Sequence, residues 1–459
     1  MKMKNFDAIV IGFGKGGKTL TGTLAGMGKK VAIIEQSDKM YGGTCINVGC
    51  IPSKSLKTSA EHSALLEGDF REHAKRYRAA VEEREHLTTM LRGKNYHKLA
   101  DFPNVDVING CGKFVGEKEV EITFSDGHTE NLSAPQIFLN TGSVPRLPKI
   151  EGAKESRYVY LSNTLMALPD LPKHLVIIGG GYIGVEFASM YRHFGAQVTI
   201  VQNSSQFLPK EDKEIADAVL KRLNGLGIQV MFDADTKNIA DKDGFAELTL
   251  STLTGEQKIE AEAILLAAGR VPNTAELGLV SSGIAVNNRG AVVTDEHLRT
   301  TNPAVYAMGD VVGGLQFTYI SLDDFRIVKS AVLGNGERTT ENRGAVPYSV
   351  FLNPPFSRVG LTEQQARDKG YDVKIATMPT GAIPKAQVIR QTEGLLKAVV
   401  DAKTGLILGA HLFCPESHEM INLIKLAMDA RLSYTVLRDM IYTHPTLSEG
   451  FNDLFALVK

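Results

Sequence analysis

Gly42-Gly43-Thr44-Cys45-Ile46-Asn47-Val48-Gly49-Cys50-Ile51-Pro52-Ser53-Lys54 holds two of the chain's four cysteines, five residues apart. A pair so spaced closes a disulfide ring only if the backbone coils tightly between the sulfurs. Gly42 and Gly43 let backbone approach a flat ligand closely, and the run after Thr44 reads as a helix start. A helix N-terminus lowers a thiol pKa, and the thiolate is the form that attacks and exchanges disulfides. Pro52 suits an early helical turn, where its missing N–H would be unpaired anyway. Lys54, four residues after Cys50, shares its helix face and would set an ammonium beside that sulfur. These features point to a redox-active dithiol. A zinc half-site or two buried free thiols would use the same residues, but zinc needs four ligands, and Cys111 and Cys414 are isolated in the sequence. No metal site is expected.

A long-range repeat surrounds this stretch. Phe6–Ile11 is a short apolar strand running into Gly12-Phe13-Gly14-Lys15-Gly16-Gly17, and Leu175–Ile178 runs into Gly179-Gly180-Gly181-Tyr182-Ile183-Gly184. Each is strand, G-x-G-x-x-G and amphipathic helix, the context in which the motif marks a nucleotide site rather than a bare tight turn. Gly12, Gly14 and Gly17, like Gly179, Gly181 and Gly184, would let a pyrophosphate rest on a helix N-terminus. The next strands end at matched places, Glu35 and Gln202, each 23 residues beyond the first glycine of its motif. Glu35 can accept hydrogen bonds from an adenosine ribose. An acid at Gln202 would favour NADH and repel the extra phosphate of NADPH, so its absence leans the second site toward NADPH with NADH tolerated. The nearest cation is Lys210.

The 459 residues suggest roughly three domains of about 150 residues each. Lys plus Arg, 51, nearly balances Asp plus Glu, 52, which argues against a nucleic-acid or membrane-surface partner. No apolar run approaches the roughly 18 residues of a membrane span. The start, Met1 to Phe6, runs into a strand without an apolar leader, and so few cysteines make no disulfide scaffold. Both readings place the protein in a reducing cytoplasm. Residues 55–100 read as helical, with Ala60, Ala64, Leu65, Val81, Leu87, Met90 and Leu91 as candidate buried positions. Alternating strands follow around Val105–Phe124 and Ile137–Leu139, and from Pro347 strands and helices alternate again.

Gly42–Lys54 resembles the active-site signature of the class I flavoprotein disulfide reductases, the family of dihydrolipoamide dehydrogenase, glutathione reductase and mercuric reductase. The resemblance extends along nearly the whole chain. Thr141-Gly142-Ser143-Val144-Pro145 is similar to the link out of the flavin domain, and Ala263-Ile264-Leu265-Leu266-Ala267-Ala268-Gly269-Arg270-Val271-Pro272-Asn273 to the return. Thr301–Asp310 resembles the segment whose aspartate, here Asp310, holds the flavin ribityl hydroxyls. His444-Pro445-Thr446-Leu447-Ser448-Glu449 matches the family's His-Pro-Thr-x-x-Glu. The resemblance implies an α/β fold with two Rossmann-like nucleotide-binding domains, one for FAD (1–146 and 266–336) and one for NAD(P)H (147–265). A C-terminal α+β interface domain (337–459) would form a homodimer. FAD is expected at the first glycine loop, beside Gly43, Thr44, Thr141, Gly142 and Asp310. NADPH, or NADH, is expected at the second, with Gly269 and Arg270.

The same resemblance implies roles. Tyr182 gates the nicotinamide, Lys54 and Glu186 pair near the reactive flavin nitrogen, and electrons pass from nicotinamide through flavin to the disulfide. Cys50 becomes the thiolate against the flavin and Cys45 the exchanging nucleophile. His444, oriented by Glu449, reaches across the dimer interface to Cys45 and moves protons. The end, Phe455–Lys459, lacks the C-terminal cysteine pair and the redox tail of two subfamilies. Gly313–Arg326, with Ile11–Thr19, Met40-Tyr41 and Ser417–Ile421, is similar to the RclA-type group of reactive-chlorine-resistance flavoproteins. That likeness implies a small-molecule oxidant, hypothiocyanous acid, as substrate. The alternatives are a dihydrolipoamide dehydrogenase or other disulfide reductase, a copper(II) or mercury(II) reductase, and, of another class, a redox sensor or docked subunit of a larger complex.

Overall fold

Two parallel sheets built to one plan organise the computed structural model, which describes residues 3–459. The reading of the start as leaderless falls partly on Met1 and Lys2, which lie outside the described residues. In the first sheet the strand order is Val305–Ala307, Gln136–Leu139, Ala8–Ile11, Val31–Glu35, Val105–Asn109. Ala8–Ile11 and Val31–Glu35 are buried along their whole length, as parallel strands covered on both faces must be. Ile9, Ile11 and Ile34 pack on one face against Phe114 and Leu132. Val10 and Ile33 pack on the other against Leu20, Leu24 and Val328. At Ala8–Ile11 the strand order reverses, so the loop after Ile11 opens into the crevice where such sheets hold ligands.

The second sheet repeats this arrangement in the order Val159–Tyr160, Ala263–Leu266, His174–Ile178, Gln197–Val201, Gln229–Met231. The loop after Ile178 occupies the equivalent crevice. A short antiparallel pair, Ser143–Pro145 with Arg270–Pro272, carries the chain out of the first unit and back. The C-terminal sheet is antiparallel, in the order Tyr348–Val350, Phe356–Gly360, Ile407–Phe413, Leu395–Asp401, Val373–Pro379. Its core joins Leu396 and Leu412 to Ile424, Phe451 and Phe455 of two helices. The Lys397 ammonium, on a side chain 1% exposed, meets Asp212, Glu214 and Glu363 at 3.0, 2.6 and 2.9 Å, fastening this sheet to the second nucleotide unit.

The stretch 55–100 forms the end of one helix, Cys50–Ala64, and the long helix Phe70–Ala100. Ala60 and Val81 are buried and Leu87 and Leu91 half-buried, but Ala64, Leu65 and Met90 are exposed. Leu65 lies just past the helix end, and the buried line of that helix runs through Leu56, Ala60 and Ser63 instead. In the long helix the buried line is Tyr77, Ala80, Val81, Arg84 and Thr88, at helical spacing. No helix among the described residues is long and apolar enough to cross a membrane.

Candidate active site

The two cysteines sit on two helices. Gly43–Asn47 is a short helix carrying Cys45; the chain breaks at Val48 and Gly49, and Cys50 opens the helix to Ala64. The helix start therefore falls at Cys50 and not only after Thr44, because Gly49, at φ −130° and ψ −112°, redirects the backbone between the sulfurs. Gly42 and Gly43 are left-handed, and a Cβ on Gly43 would stand 2.8 Å from Gly14 Cα, so the cysteine turn is pressed onto the first glycine loop. Both cysteines are free thiols. A hydrogen bond from Cys45 brings Cys50 down to about 6, against burial and with help from the Thr318 hydroxyl and the Lys54 ammonium. Cys50 Sγ lies 3.7 Å from Thr318 Oγ1. Cys45 is pushed up by that same bond and by burial. Cys50 is thus the ready thiolate, and Cys45 keeps its proton while that charge stands beside it.

Lys54 Nζ meets Glu186 Oε2 at 2.8 Å and lies 4.6 Å above the Phe351 ring. Glu186 Oε1 accepts the Phe351 N–H at 2.7 Å. The two charges come from different units and meet in one cavity of about 2490 Å³, which runs past both glycine loops, the cysteine turn and Asp310.

The first glycine loop fits a flavin dinucleotide. Gly12 is left-handed, and a Cβ on it would stand 2.3 Å from Asn140 O; one on Gly14 would stand 2.4 Å from Asn140 Oδ1. Gly17 lets the helix close on the loop, its Cβ position being 2.6 Å from Gly12 O. Glu35 Oε2 accepts the Phe13 N–H at 3.1 Å, and burial raises this carboxyl to about 7. Thr44, Thr141 and Gly142 line the cavity, and Thr141 Oγ1 donates to Asn273 O at 2.9 Å. Burial also raises Asp310, whose Oδ2 accepts from Ser143 Oγ at 2.7 Å. Arg270 donates to Ser143 Oγ and Ser143 O at 2.8 and 2.6 Å.

The second loop repeats the backbone and changes the side chains. Gly179 is left-handed with its Cβ position 2.6 Å from Ala267 O, and that of Gly184 lies 2.1 Å from Gly179 O. Gly181 has open space around it, as a site for a passing phosphate requires. Gln202 is turned onto its own chain: Nε2 donates to Ser204 O and Gln206 O at 3.1 and 2.7 Å. Tyr182 lines the cavity and donates to Glu211, which also accepts from Tyr348 Oη at 2.5 Å and pairs with Arg358 at 3.3 Å. Gly269 and Arg270 line the cavity between the two loops.

His444 and Glu449 stand apart. His444 Nδ1 and Glu449 Oε2 are 2.7 Å from each other, but the imidazole is 69% exposed and neither residue lines the cavity. Sequence reasoning passed over Asn140, Thr318 and Phe351. Asn140 Oδ1 accepts the Gly17 N–H at 2.9 Å, and its Nδ2 donates to Met308 O at 2.7 Å and Ser321 Oγ at 3.1 Å. A polar residue closing the apolar run Ile137–Leu139, just before Thr141-Gly142, was the available signal. Thr318 and Phe351 carried none.

Known proteins match this arrangement along the whole chain. The family model described as pyridine nucleotide-disulphide oxidoreductase matches residues 6–324, and its dimerisation domain matches 346–455. The chain is 48% identical over 457 residues, all of both chains, to the probable pyridine nucleotide-disulfide oxidoreductase RclA of Escherichia coli. It is 34% identical to a mercuric reductase of Bacillus cereus, over 97% of this chain and 70% of that one. It is 32% identical to a dihydrolipoyl dehydrogenase of Mycobacterium bovis, over 99% and 98%. A solved structure described as the Cu(II) complex of HOCl-induced flavoprotein disulfide reductase RclA from Escherichia coli superposes with a TM-score of 0.93 at 48% identity, covering 100% of both chains. With a free thiol pair set between two dinucleotide crevices and these matches end to end, the chain belongs to the pyridine nucleotide-disulphide oxidoreductase family, among the flavoprotein disulfide reductases.

Proposed function

We propose that this oxidoreductase uses its Cys45–Cys50 pair to reduce hypothiocyanous acid to thiocyanate, in the cytoplasm and at the expense of NADPH. The observation that carries the reading is the unequal thiol pair at the junction of two dinucleotide crevices; the choice of oxidant rests on likeness to RclA. Gly12, Gly14, Gly17, Glu35, Gly43, Thr44, Thr141, Gly142 and Asp310 would hold FAD. Gly179, Gly181, Tyr182, Gly184, Gln202, Gly269 and Arg270 would hold the pyridine nucleotide, with segments 1–146 and 266–336, 147–265 and 337–459 as the three domains. Gln202 sets no carboxylate against a 2′-phosphate, which favours NADPH.

FAD, when bound, supplies the electron pair that opens the disulfide, and NAD(P)H renews it. The Cys45 thiolate then attacks the oxidant's sulfur: an S–S bond forms, the S–O bond breaks, and hydroxide leaves to take up a proton as water. The Cys50 thiolate attacks Cys45 Sγ, restores the disulfide and expels thiocyanate. Thr318 and Lys54 keep Cys50 ionised for this step. Glu186 holds Lys54, and Phe351 holds Glu186. His444, carried by Glu449 on the exposed face of the dimerisation domain, would serve the Cys45 of a second copy as proton carrier. Cys45→Ser protein should keep its flavin and lose hypothiocyanous acid turnover; full turnover in that variant would sink the mechanism.

The RclA structure described as a Cu(II) complex favours a second reading, in which two copper(II) ions each take one electron from the same dithiol. In that reading copper is substrate. Copper-dependent NADPH consumption that outpaces consumption with the oxidant would decide for it.

A further inference from the structure

Tyr182 stands between the second glycine loop and the thiols. It follows Gly181, which has open space around it, and opens the Tyr182–His193 helix. Glu186 lies one turn further along the same helix face and meets Lys54, itself four residues beyond Cys50. The Tyr182 ring lies 5.6 Å from the Tyr348 ring, and Tyr348 stacks on Phe317 at 5.8 Å and 14°. The next residue, Thr318, reaches Cys50 at 3.7 Å. All of these side chains line the cavity shared by the two loops. A dinucleotide whose pyrophosphate rests on the second loop must carry its nicotinamide past Tyr182 to reach the Lys54–Glu186 pair.

The Tyr182 hydroxyl is held by a buried carboxylate. Glu211, its side chain 0% exposed, accepts from Tyr182 and, on the same oxygen, from Tyr348 Oη at 2.5 Å. The two hydroxyls lie 3.3 Å apart. The other carboxylate oxygen pairs with Arg358 Nη1 at 3.3 Å. The backbone that carries Glu211 is fixed on both sides: Arg358 donates to Lys210 O at 2.7 Å, and Asp212 meets Lys397 at 3.0 Å. Glu211 is therefore bound to stay, whereas the half-buried Tyr182 is free to leave it. When it does, the carboxylate keeps Tyr348 and Arg358, so release of one phenol strands no buried charge. Burial, then the Glu211 charge, raise Tyr182, which keeps it a donor across the working pH range.

We propose that Glu211 is a positioning residue that latches Tyr182 across the path of the nicotinamide, so that each nucleotide enters by breaking one phenol–carboxylate bond. The proposal rests on the reading of Tyr182 as part of the pyridine nucleotide site. A latched ring lowers the fraction of molecules open to the nucleotide, and the observed association rate falls with that fraction. Once a nucleotide is seated the latch is already open, so dissociation does not feel it.

The test follows binding of NADP+, with NAD+ alongside, to the full-length, FAD-loaded protein by stopped flow, through the change in flavin absorbance. Neither probe has a hydride to give, so no turnover intrudes. Tyr182→Phe keeps the ring and removes the bond: association should quicken roughly tenfold while dissociation holds at the parent rate. Glu211→Gln, a weaker acceptor, should quicken association by a smaller factor. Unchanged association in either variant overturns the proposal, and so does a gain matched by faster dissociation, the sign of a site merely loosened. Should Glu211→Gln fail to fold, Tyr182→Phe decides alone. Tyr182→Ala separates the latch from the reading beneath it. If loss of the ring speeds association and Tyr182→Phe does not, Tyr182 stands in the nucleotide's path and Glu211 is no latch. If Tyr182→Ala also associates at the parent rate, the placing of Tyr182 in the nucleotide site fails as well.

Discussion

The two glycine loops make the same backbone and surround it differently. Both first glycines are left-handed, at φ +102° for Gly12 and +113° for Gly179, and both face a carbonyl that leaves no room for a Cβ. Around the first loop, side chains hold three of its N–H groups. Asn140 takes the Gly17 N–H, Ser321 Oγ takes the Gly16 N–H at 3.1 Å, and Glu35 takes the Phe13 N–H. Around the second, Gly181 faces open space, Gln202 turns back on residues 204 and 206, and Tyr182 is tied through Glu211 to the C-terminal sheet. A locked loop suits a dinucleotide that stays; an open one suits a dinucleotide that comes and goes. Under the proposed assignment one motif would serve two kinds of residence, with the neighbours deciding which.

Substitution of the first glycines tests this difference most severely. Gly12→Ala should yield protein without flavin, read from its visible absorbance. Gly179→Ala should keep the flavin and weaken NADP+ binding by roughly a hundredfold, as about 2–3 kcal/mol of overpacking would. Equal flavin content in the two variants would erase the distinction. Asn140→Ala should destabilise the protein by about 2–4 kcal/mol in thermal unfolding, because it strands the Gly17 N–H and the Met308 carbonyl in a buried setting.

At the strand ends the expected changes are gentler. Gln202→Glu should shift the ratio of kcat/KM for NADH over NADPH upward roughly tenfold. An unchanged ratio would leave Gln202 as no more than a cap for its own loop. Glu35 offers a pH test. Its carboxyl, raised by burial from 4.5 to about 7, is protonated below that pH and then loses acceptor strength toward ribose hydroxyls. FAD affinity of the apoprotein should therefore climb several-fold between pH 5.5 and 8, and Glu35→Gln should flatten the climb.

What the sequence disclosed was local. The cysteine turn, both glycine motifs and the strands before them are read from contiguous residues whose geometry follows from glycine freedom and apolar runs. What it hid was assembled from distant parts. Asn140 reaches Gly17 across 123 residues, Glu186 finds the Phe351 N–H across 165, and Lys18 meets Asn95 across 77. No pattern along the chain marks such partners. The misplaced burial of Leu65 and Met90 has the same origin: apolar character alone does not say which side of a helix finds a neighbour. His444 and Glu449 were recognisable as a pair, yet the imidazole is exposed and neither residue lines the cavity that holds both cysteines.

On the proposed function, the Cys45–Cys50 pair serves a small electrophilic oxidant. The most direct measurement is NADPH consumption by the purified flavoprotein with hypothiocyanous acid, with lipoamide and oxidised glutathione run alongside. Rapid consumption with the oxidant and little with the disulfides is the predicted result. Rapid consumption with lipoamide or glutathione, and none above background with hypothiocyanous acid, would contradict it.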